Sequence, residues 1–394
     1  MRVVIAPDKF KGSLSAPEVA AALERGLLAA APGLAVDKVP VADGGEGTLE
    51  AAFGAGYARH EAAVAGPTGE PLTAGFAVRG RQAVIEMAAA SGLAVLPGGV
   101  LRARTATSRG TGELIRAALD AGCTSIILGV GGSAGTDGGA GLLQGLGVRL
   151  LDAAGRELPP GGAALAHVAC VDLSGLDARL EQTEIILASD VDNPLLGPNG
   201  AAAVFGPQKG ASAADVGELD AAVARFVDVL AAGAGDRVRQ IAAAPGAGAA
   251  GGVGFAALAV LDARRSRGID VVMDMVQLKP RIEGATLVIT GEGSLDLQSL
   301  EGKAPMGVAA VAAAAGVPVV AVCGRTLLAS SQLEAAGFVR TYALTDLEAD
   351  PAVCMSRAAA LLEETGRKMA HQLLGSGTGA GGKAYESARR GDNE

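Results

Sequence analysis

The sequence has no tryptophan, and only three tyrosines and seven phenylalanines among 394 residues. Binding single-stranded nucleic acid relies on aromatic platforms along a basic groove. The groove is missing as well, because 42 Asp and Glu outnumber 33 Lys and Arg and leave a net charge of −9. Extended polyanions are excluded as partners, whereas a small anion held by a few local cations is not. Cys123, Cys170, Cys323 and Cys354 stand far apart with no CxxC pair. That excludes a disulfide framework and a structural zinc, and reduced thiols are the expected state. His60, His167 and His371 fall outside the glycine-rich loops, which leaves carboxylates as the groups for proton transfer. The opening MRVVIAPDKFKG has too short an apolar stretch for a signal peptide before Asp8, Lys9 and Lys11. Two uncharged runs, Ile241–Leu261 and Ala304–Gly324, are long enough to mimic a membrane span. Pro245 with five glycines breaks the first, and Gly316 with Pro318 splits the second. A cytoplasmic protein without membrane contact is expected.

What the chain has in excess is glycine, 59 residues in all, about twice the usual roughly 7%. The glycines gather in loops such as Gly129–Gly141 and Gly246–Gly254, where backbone can turn sharply or approach a ligand closely. Strand and helix alternate at both ends. Val3–Ala6, Val36–Val41, Val288–Thr290, Val317–Cys323 and Val339–Leu344 read as strands. Ala16–Ala31, the segment from Thr48, Val308–Ala315, Ser331–Ala336 and Pro351–Leu374 read as helices. This rhythm predicts a parallel sheet with right-handed crossovers. Between Arg59 and Ile85 apolar and polar residues alternate around turn signals, which predicts antiparallel strands. Further on, Glu113–Ala121 and Ala140–Leu146 read as helices, and Ser125–Val130 and Glu184–Ala188 as strands. The expected architecture is α/β. A Rossmann- or flavodoxin-like parallel-sheet domain is split between residues 1–60 and 284–374, with a second, mixed α/β domain inserted at 61–283. The polar tail 375–394 is expected to be disordered.

Ligands of such folds bind at the carboxyl ends of parallel strands. The exits are Asp8-Lys9-Phe10-Lys11-Gly12-Ser13, Asp43-Gly44-Gly45-Glu46, Gly131-Gly132-Ser133 running to Asp137, Asp190-Val191-Asp192-Asn193, and Gly291-Glu292-Gly293 running to Asp296. All five carry a carboxylate and four carry glycine. A single such carboxylate is an ordinary helix N-cap. Five together suit a metal–nucleotide complex, with acids taking Mg²⁺ and backbone N–H groups or Lys taking phosphate. Lys209 and Lys303 are further cations beside glycine turns. Gly129-Val130-Gly131-Gly132-Ser133-Ala134 also matches the dinucleotide fingerprint, with Asp152 downstream, so an NAD-dependent dehydrogenase stands as the alternative. No GxxxxGK[ST] occurs, which excludes a P-loop kinase.

At these loops the chain resembles the bacterial glycerate kinase family, the type with two unlike α/β domains. The resemblance rests on APDKFKGSLSA (6–16), ADGGEGT (42–48), TSRGTGEL (107–114), GVGGSAGTDGGAG (129–141), SDVDNPLLGPNGA (189–201), FGPQKGA (205–211), GAAGGVG (248–254) and ITGEGSLDLQSLEGK (289–303). Gly135-Thr136 and Ser299 depart from the more usual Thr-Asn and Thr. The resemblance implies ATP-dependent phosphorylation of D-glycerate with Mg²⁺, on the 2-hydroxyl in many bacterial members. The 3-hydroxyl remains the alternative and a homodimer is allowed. Mg-ATP is expected in a cleft between the two domains, closing at hinges near residues 58–64 and 280–286. Phosphoryl transfer asks mainly for positioning and charge neutralisation. The roles expected are Asp190 as base with Asp192 beside it on the metal, and Glu292 and Asp296 on metal or nucleotide. Lys9, Lys11 and Arg325 are the cations for the substrate carboxylate, near Ser13, and Asp137 orders its own loop.

Overall fold

The computed structural model describes residues 1–300 and 302–374. The expectation for the tail 375–394 lies outside the described residues. Two compact units are present. One holds Met1–Ala42 and the chain from Met273 onward, and the other is Asp43–Val272. In chain order the strands are β1 (Arg2–Pro7), β2 (Ala35–Lys38), β3 (Ala58–Ala65), β4 (Pro71–Arg79), β5 (Gln82–Glu86) and β6 (Ser125–Gly129). They continue with β7 (Arg149–Leu151), β8 (Cys170–Asp172), β9 (Glu184–Ala188), β10 (Arg264–Ser266), β11 (Leu287–Leu295), β12 (Val319–Thr326) and β13 (Phe338–Ala343).

The first unit is built on a five-stranded, all-parallel sheet in the order β13-β12-β11-β1-β2. Parallel strands covered on both faces read as continuous apolar runs. Val3, Val4 and Ile5 of β1 and Val288 and Ile289 of β11 are accordingly all buried. The helix Ala16–Ala30 starts where Ser15 donates its backbone N–H to the Glu18 carboxylate (2.8 Å), with Pro17 in the first turn. The single helix expected over 351–374 is instead broken. Pro351–Ser356 and Ala358–Met369 are separated at Arg357, whose φ of −112° and ψ of 14° leave the helical range. The chain leaves β1 toward β2 on one side, while β11 lies on the other. The crevice outside the carboxyl ends of β1 and β11 is therefore the topological switch point of this sheet.

The second unit carries a mixed six-stranded sheet, β10-β9-β6-β5-β4-β3. β10, β9, β6 and β5 run parallel, and β4 and β3 add antiparallel. The apolar alternation over 59–85 forms this antiparallel edge, as expected. Its core joins Leu114, Ile126 and Leu128 to Phe226 and Phe255, whose rings meet edge to face with centroids 6.2 Å apart. Phe226 belongs to a 22-residue helix, Ala213–Ala234. The alanine-rich sequence of that stretch blurs the apolar spacing that would announce a helix. The fold class is α/β as expected, with one parallel and one mixed sheet.

Candidate active site

In the first unit the switch point gathers one set of expected residues. Asp8 is buried, donates its N–H to the Gly291 carbonyl (2.8 Å) and accepts the Lys9 N–H (2.6 Å). Beyond it a tight turn closes through a Phe10–Leu14 bridge, with Lys11 exposed and Ser13 donating its hydroxyl to the Met355 carbonyl (2.8 Å). β11 runs on alongside, past the end of β1 at Pro7, so Gly291, Glu292 and Gly293 lie within the strand and not after an end at Thr290 as expected, because pairing with β12 carries it on to Leu295. A side chain on Gly293 would begin 3.2 Å from the Lys11 nitrogen, so the two segments run in contact. Glu292 is half-buried; burial first, then the negative charges of Asp346 and Glu292, push the Cys323 thiol up to about 12. Arg325 is exposed and reaches the Ser294 hydroxyl (3.3 Å). Asp296 closes its own turn, accepting the Ser299 N–H (3.1 Å). Lys303 stands at the start of the helix Ala304–Ala314. The segments Asp8–Lys11 and Gly291–Gly293 thus lie side by side at the switch point.

In the second unit the exits of β6, β9 and β10 lie side by side, and the Asp43–Glu46 segment lies across them. Gly44 sits at φ +85°, and a Cβ there would fall 2.6 Å from the Gly268 Cα and 3.3 Å from the Ala188 side chain. Only glycine meets both demands. Gly131 is packed on Gly45, with 3.1 Å from an added Cβ to the Gly45 Cα. Asp43 folds back to accept the Gly45 N–H (3.2 Å), and Glu46 is exposed. Asp190 stands two residues past the end of β9, after Ser189, and its carboxylate accepts the Gly268 N–H (2.9 Å). The carboxylate is solvent-accessible yet recessed among protein atoms. Desolvation raises its pKa above the ordinary carboxylate value, and the nearby charges of Asp43 and Asp270 add to this against the Gly268 bond and Arg267. Asp192 points elsewhere, pairing with Arg265 (2.7 Å) with its own side chain 81% exposed. Asn193 ties its amide to the Asn199 carbonyl (2.8 Å), shaping the loop after it.

Two expected residues lie beneath this surface. Asp137 is fully buried and accepts the Ser108 N–H (2.8 Å), the Ser108 hydroxyl (2.9 Å), the Gly139 N–H (3.0 Å) and the Gly141 N–H (3.3 Å). Burial nonetheless raises its pKa. Lys209 has no exposed surface, and its ammonium donates to the Gly135 carbonyl. Burial lowers its pKa to about 8, opposed by the charge of Asp137. Both side chains brace the 131–139 loop from behind. Gly132 is exposed, but Ser133 is buried and bridged to Gly92.

The dinucleotide alternative is not favoured by this geometry. Its fingerprint needs the loop to open directly into a helix. Here the next helix begins only at Ala140, after the buried Asp137 has filled the loop. Three residues of the second unit's site carry little signal in the sequence. Arg267 and Gly268 follow β10, a three-residue edge strand, Arg264-Arg265-Ser266, that lacks an apolar signature. Glu86 ends β5 and accepts the Leu49 N–H (2.7 Å) at the start of the helix Thr48–Gly54. The available signal was Ser266-Arg267-Gly268 preceding the apolar helix Gly268–Met275, a charge beside a glycine like the other exits.

Two parallel-strand crevices lined by glycine, carboxylates and a few cations suit the handling of phosphate groups, the work of a kinase. Residues 3–374 match the model of the glycerate kinase family, and the chain belongs to that family. It is 47% identical to glycerate kinase of Bacillus subtilis (strain 168) over 95% of this chain and 98% of that one. It is 49% identical to glycerate 2-kinase of Escherichia coli (strain K12), over 82% of this chain and 85% of that one. A crystal structure from Salmonella typhimurium LT2, provisionally assigned as glycerate kinase 2, superposes with a TM-score of 0.82 at 42% identity, covering 95% of this chain and 99% of that one. The protein is therefore an enzyme of the kinase class. No helix among the described residues is long and apolar enough to cross a membrane.

Proposed function

We propose that the protein transfers the γ-phosphoryl group of ATP to the 2-hydroxyl of D-glycerate. The observation that carries this reading is the β9 exit. Asp190 stands there just past the end of a buried strand, its carboxylate aimed by the Gly268 N–H and its proton affinity raised by its surroundings. Rigid placement and a raised pKa are what a general base needs to take a proton from a hydroxyl as the new P–O bond forms. In the first unit, Lys9, Lys11, Gly291 and Gly293 offer a cationic, backbone-rich crevice suited to phosphate. The regiochemistry is supported by the Escherichia coli relative, named a glycerate 2-kinase.

The chemistry of the donor set fits Mg²⁺ arriving with the nucleotide. Among the described residues no three His, Cys, Asp or Glu side chains form a ready-made cage, and Mg²⁺ commonly takes one or two carboxylates with water and phosphate. In the first unit Glu292 and Asp296 are the carboxylates that would meet it, and in the second Asp192 would do so by exchanging its bond to Arg265. When bound, the ion would offset charge on the phosphates.

The test is to mix the protein with ATP, Mg²⁺ and D-glycerate and follow ADP, then to record the ³¹P spectrum of the product. A phosphate ester on C2 couples to one proton and gives a doublet, whereas an ester on C3 couples to two and gives a triplet. A doublet is expected. A triplet would move the reaction to the 3-hydroxyl, and absence of ADP would remove the reading.

A further inference from the structure

The residues around Asp190 bear on how the acid substrate is recognised, an inference that rests on the function proposed above. β10 pairs with β9 in parallel register, Ser266 opposite Ala188. The next residues, Arg267 and Gly268, therefore run beside Ser189 and Asp190. Gly268 is pressed onto the Asp43 loop, and a Cβ on it would lie 1.8 Å from the Asp43 carbonyl oxygen and 2.8 Å from the Gly44 Cα. No other residue fits this approach, and the same backbone supplies the N–H that Asp190 accepts. Arg267 has a side chain 52% exposed, approaches Asp270 at 4.0 Å, and its positive charge bears on Asp190. Asp43, Asp190 and Asp270 together make this corner acidic, so an anionic substrate entering it meets repulsion unless a cation receives it.

The chemistry of the substrate narrows what that cation does. In an α-hydroxy acid the hydroxyl and the carboxylate sit on the same carbon. Whatever group takes the hydroxyl proton must therefore have a carboxylate-binding group as its immediate neighbour. We propose that Arg267 holds the carboxylate of the α-hydroxy acid whose hydroxyl Asp190 serves, and that Gly268 is the positioning residue that fixes Asp190 for that task. A guanidinium suits a carboxylate because its donors form a planar fork that matches two oxygens. The adjacency also ties the assignment to the 2-hydroxyl, since a 3-hydroxyl stands one carbon further from the acid group.

The experiment compares D-glycerate with D-glyceramide, which keeps both hydroxyls and loses the charge. Calorimetry gives the Kd of each for the wild-type chain, Arg267→Gln and Arg267→Lys, and steady-state kinetics give KM and kcat. Arg267→Gln is expected to raise Kd and KM for D-glycerate roughly 10- to 100-fold while leaving those for D-glyceramide and ATP within about threefold. Arg267→Lys should recover part of the loss. Gly268→Ala should lower kcat more than it raises KM, because it displaces Asp190 rather than the binding cation. The assignment is overturned if the glycerate-to-glyceramide ratio of Kd is the same in wild type and Arg267→Gln. A different pattern speaks against the proposed base alone: the ratio collapses as expected, yet Asp190→Asn turns over at the parent rate. A wild-type protein that neither binds nor phosphorylates D-glycerate overturns the assignment together with the proposed function.

Discussion

Lys209→Met replaces a fully buried ammonium with an apolar side chain of similar length. The variant loses the charge-assisted bond to the Gly135 carbonyl and leaves that oxygen buried without its donor. It also leaves the Asp137 carboxylate without the cation near it. Against this, it removes the cost of holding an ammonium away from water. The folded pKa of about 8, against an ordinary 10.5, puts that cost on the order of 3 kcal/mol. The net loss at pH 7 should be roughly 1–3 kcal/mol. In a unit of this size that is a fall in Tm of roughly 2–12 °C. The pH dependence separates the two contributions. Because the folded pKa lies below the unfolded one, the unfolded chain binds more protons between pH 8 and 10.5, and stability contributed by Lys209 rises with pH through that window. Below pH 8 the difference between wild type and variant should be constant, and above it the difference should widen. Urea unfolding followed by far-UV circular dichroism at steps from pH 7 to 10.5 would measure it, the absence of tryptophan ruling out the usual fluorescence. A difference that stays flat from pH 8 to 10.5, or a variant more stable than wild type at pH 7, would refute the reasoning.

Two shorter predictions follow from the strand exits. Asp190→Asn should keep the fold and the ATP affinity while lowering kcat by roughly 10²–10⁴, the usual weight of a general base; a rate within a few-fold of the parent would move the role to another acid. Lys11→Ala, at an exposed turn beside β11, should raise KM for an anionic substrate, and unchanged constants for both glycerate and ATP would remove Lys11 from the site.

Much of this arrangement was legible in the sequence because its signals are local. β1 and β11 are apolar runs that stop at Asp8 and Gly291, and a strand buried on both faces can hardly be written otherwise. Asp137 lies within a glycine-rich loop whose N–H groups are close in sequence, and it accepts from Gly139 and Gly141 there as well as twice from Ser108. What escaped was set by tertiary context. β10 is an edge strand of two arginines and a serine, shaped by pairing with β9 rather than by hydrophobicity, so Arg267 and Gly268 had no anchor in the pattern. The helix Ala213–Ala234 hides in an alanine-rich stretch where apolar spacing is blurred. Lys209 stands beside a glycine turn, and nothing in the sequence signals that the chain buries its ammonium completely.

The place of β1 has a consequence for how the molecule is made. Of the five strands of its sheet β1 is made before the other four, yet it sits inside, between β2 and β11. Thr290 reaches back to the Ala6 carbonyl, across 284 positions of sequence. Asp43–Val272 can therefore complete its own sheet while the N-terminal segment still waits, with one neighbour in place and the other not yet synthesised. Pairing over such a separation is slow, and an unpaired apolar strand is a hazard while it lasts. Translation arrested before β11 would release a folded second unit carrying an open-edged remnant of the first, a species that chaperones would recognise and a full-length chain never displays.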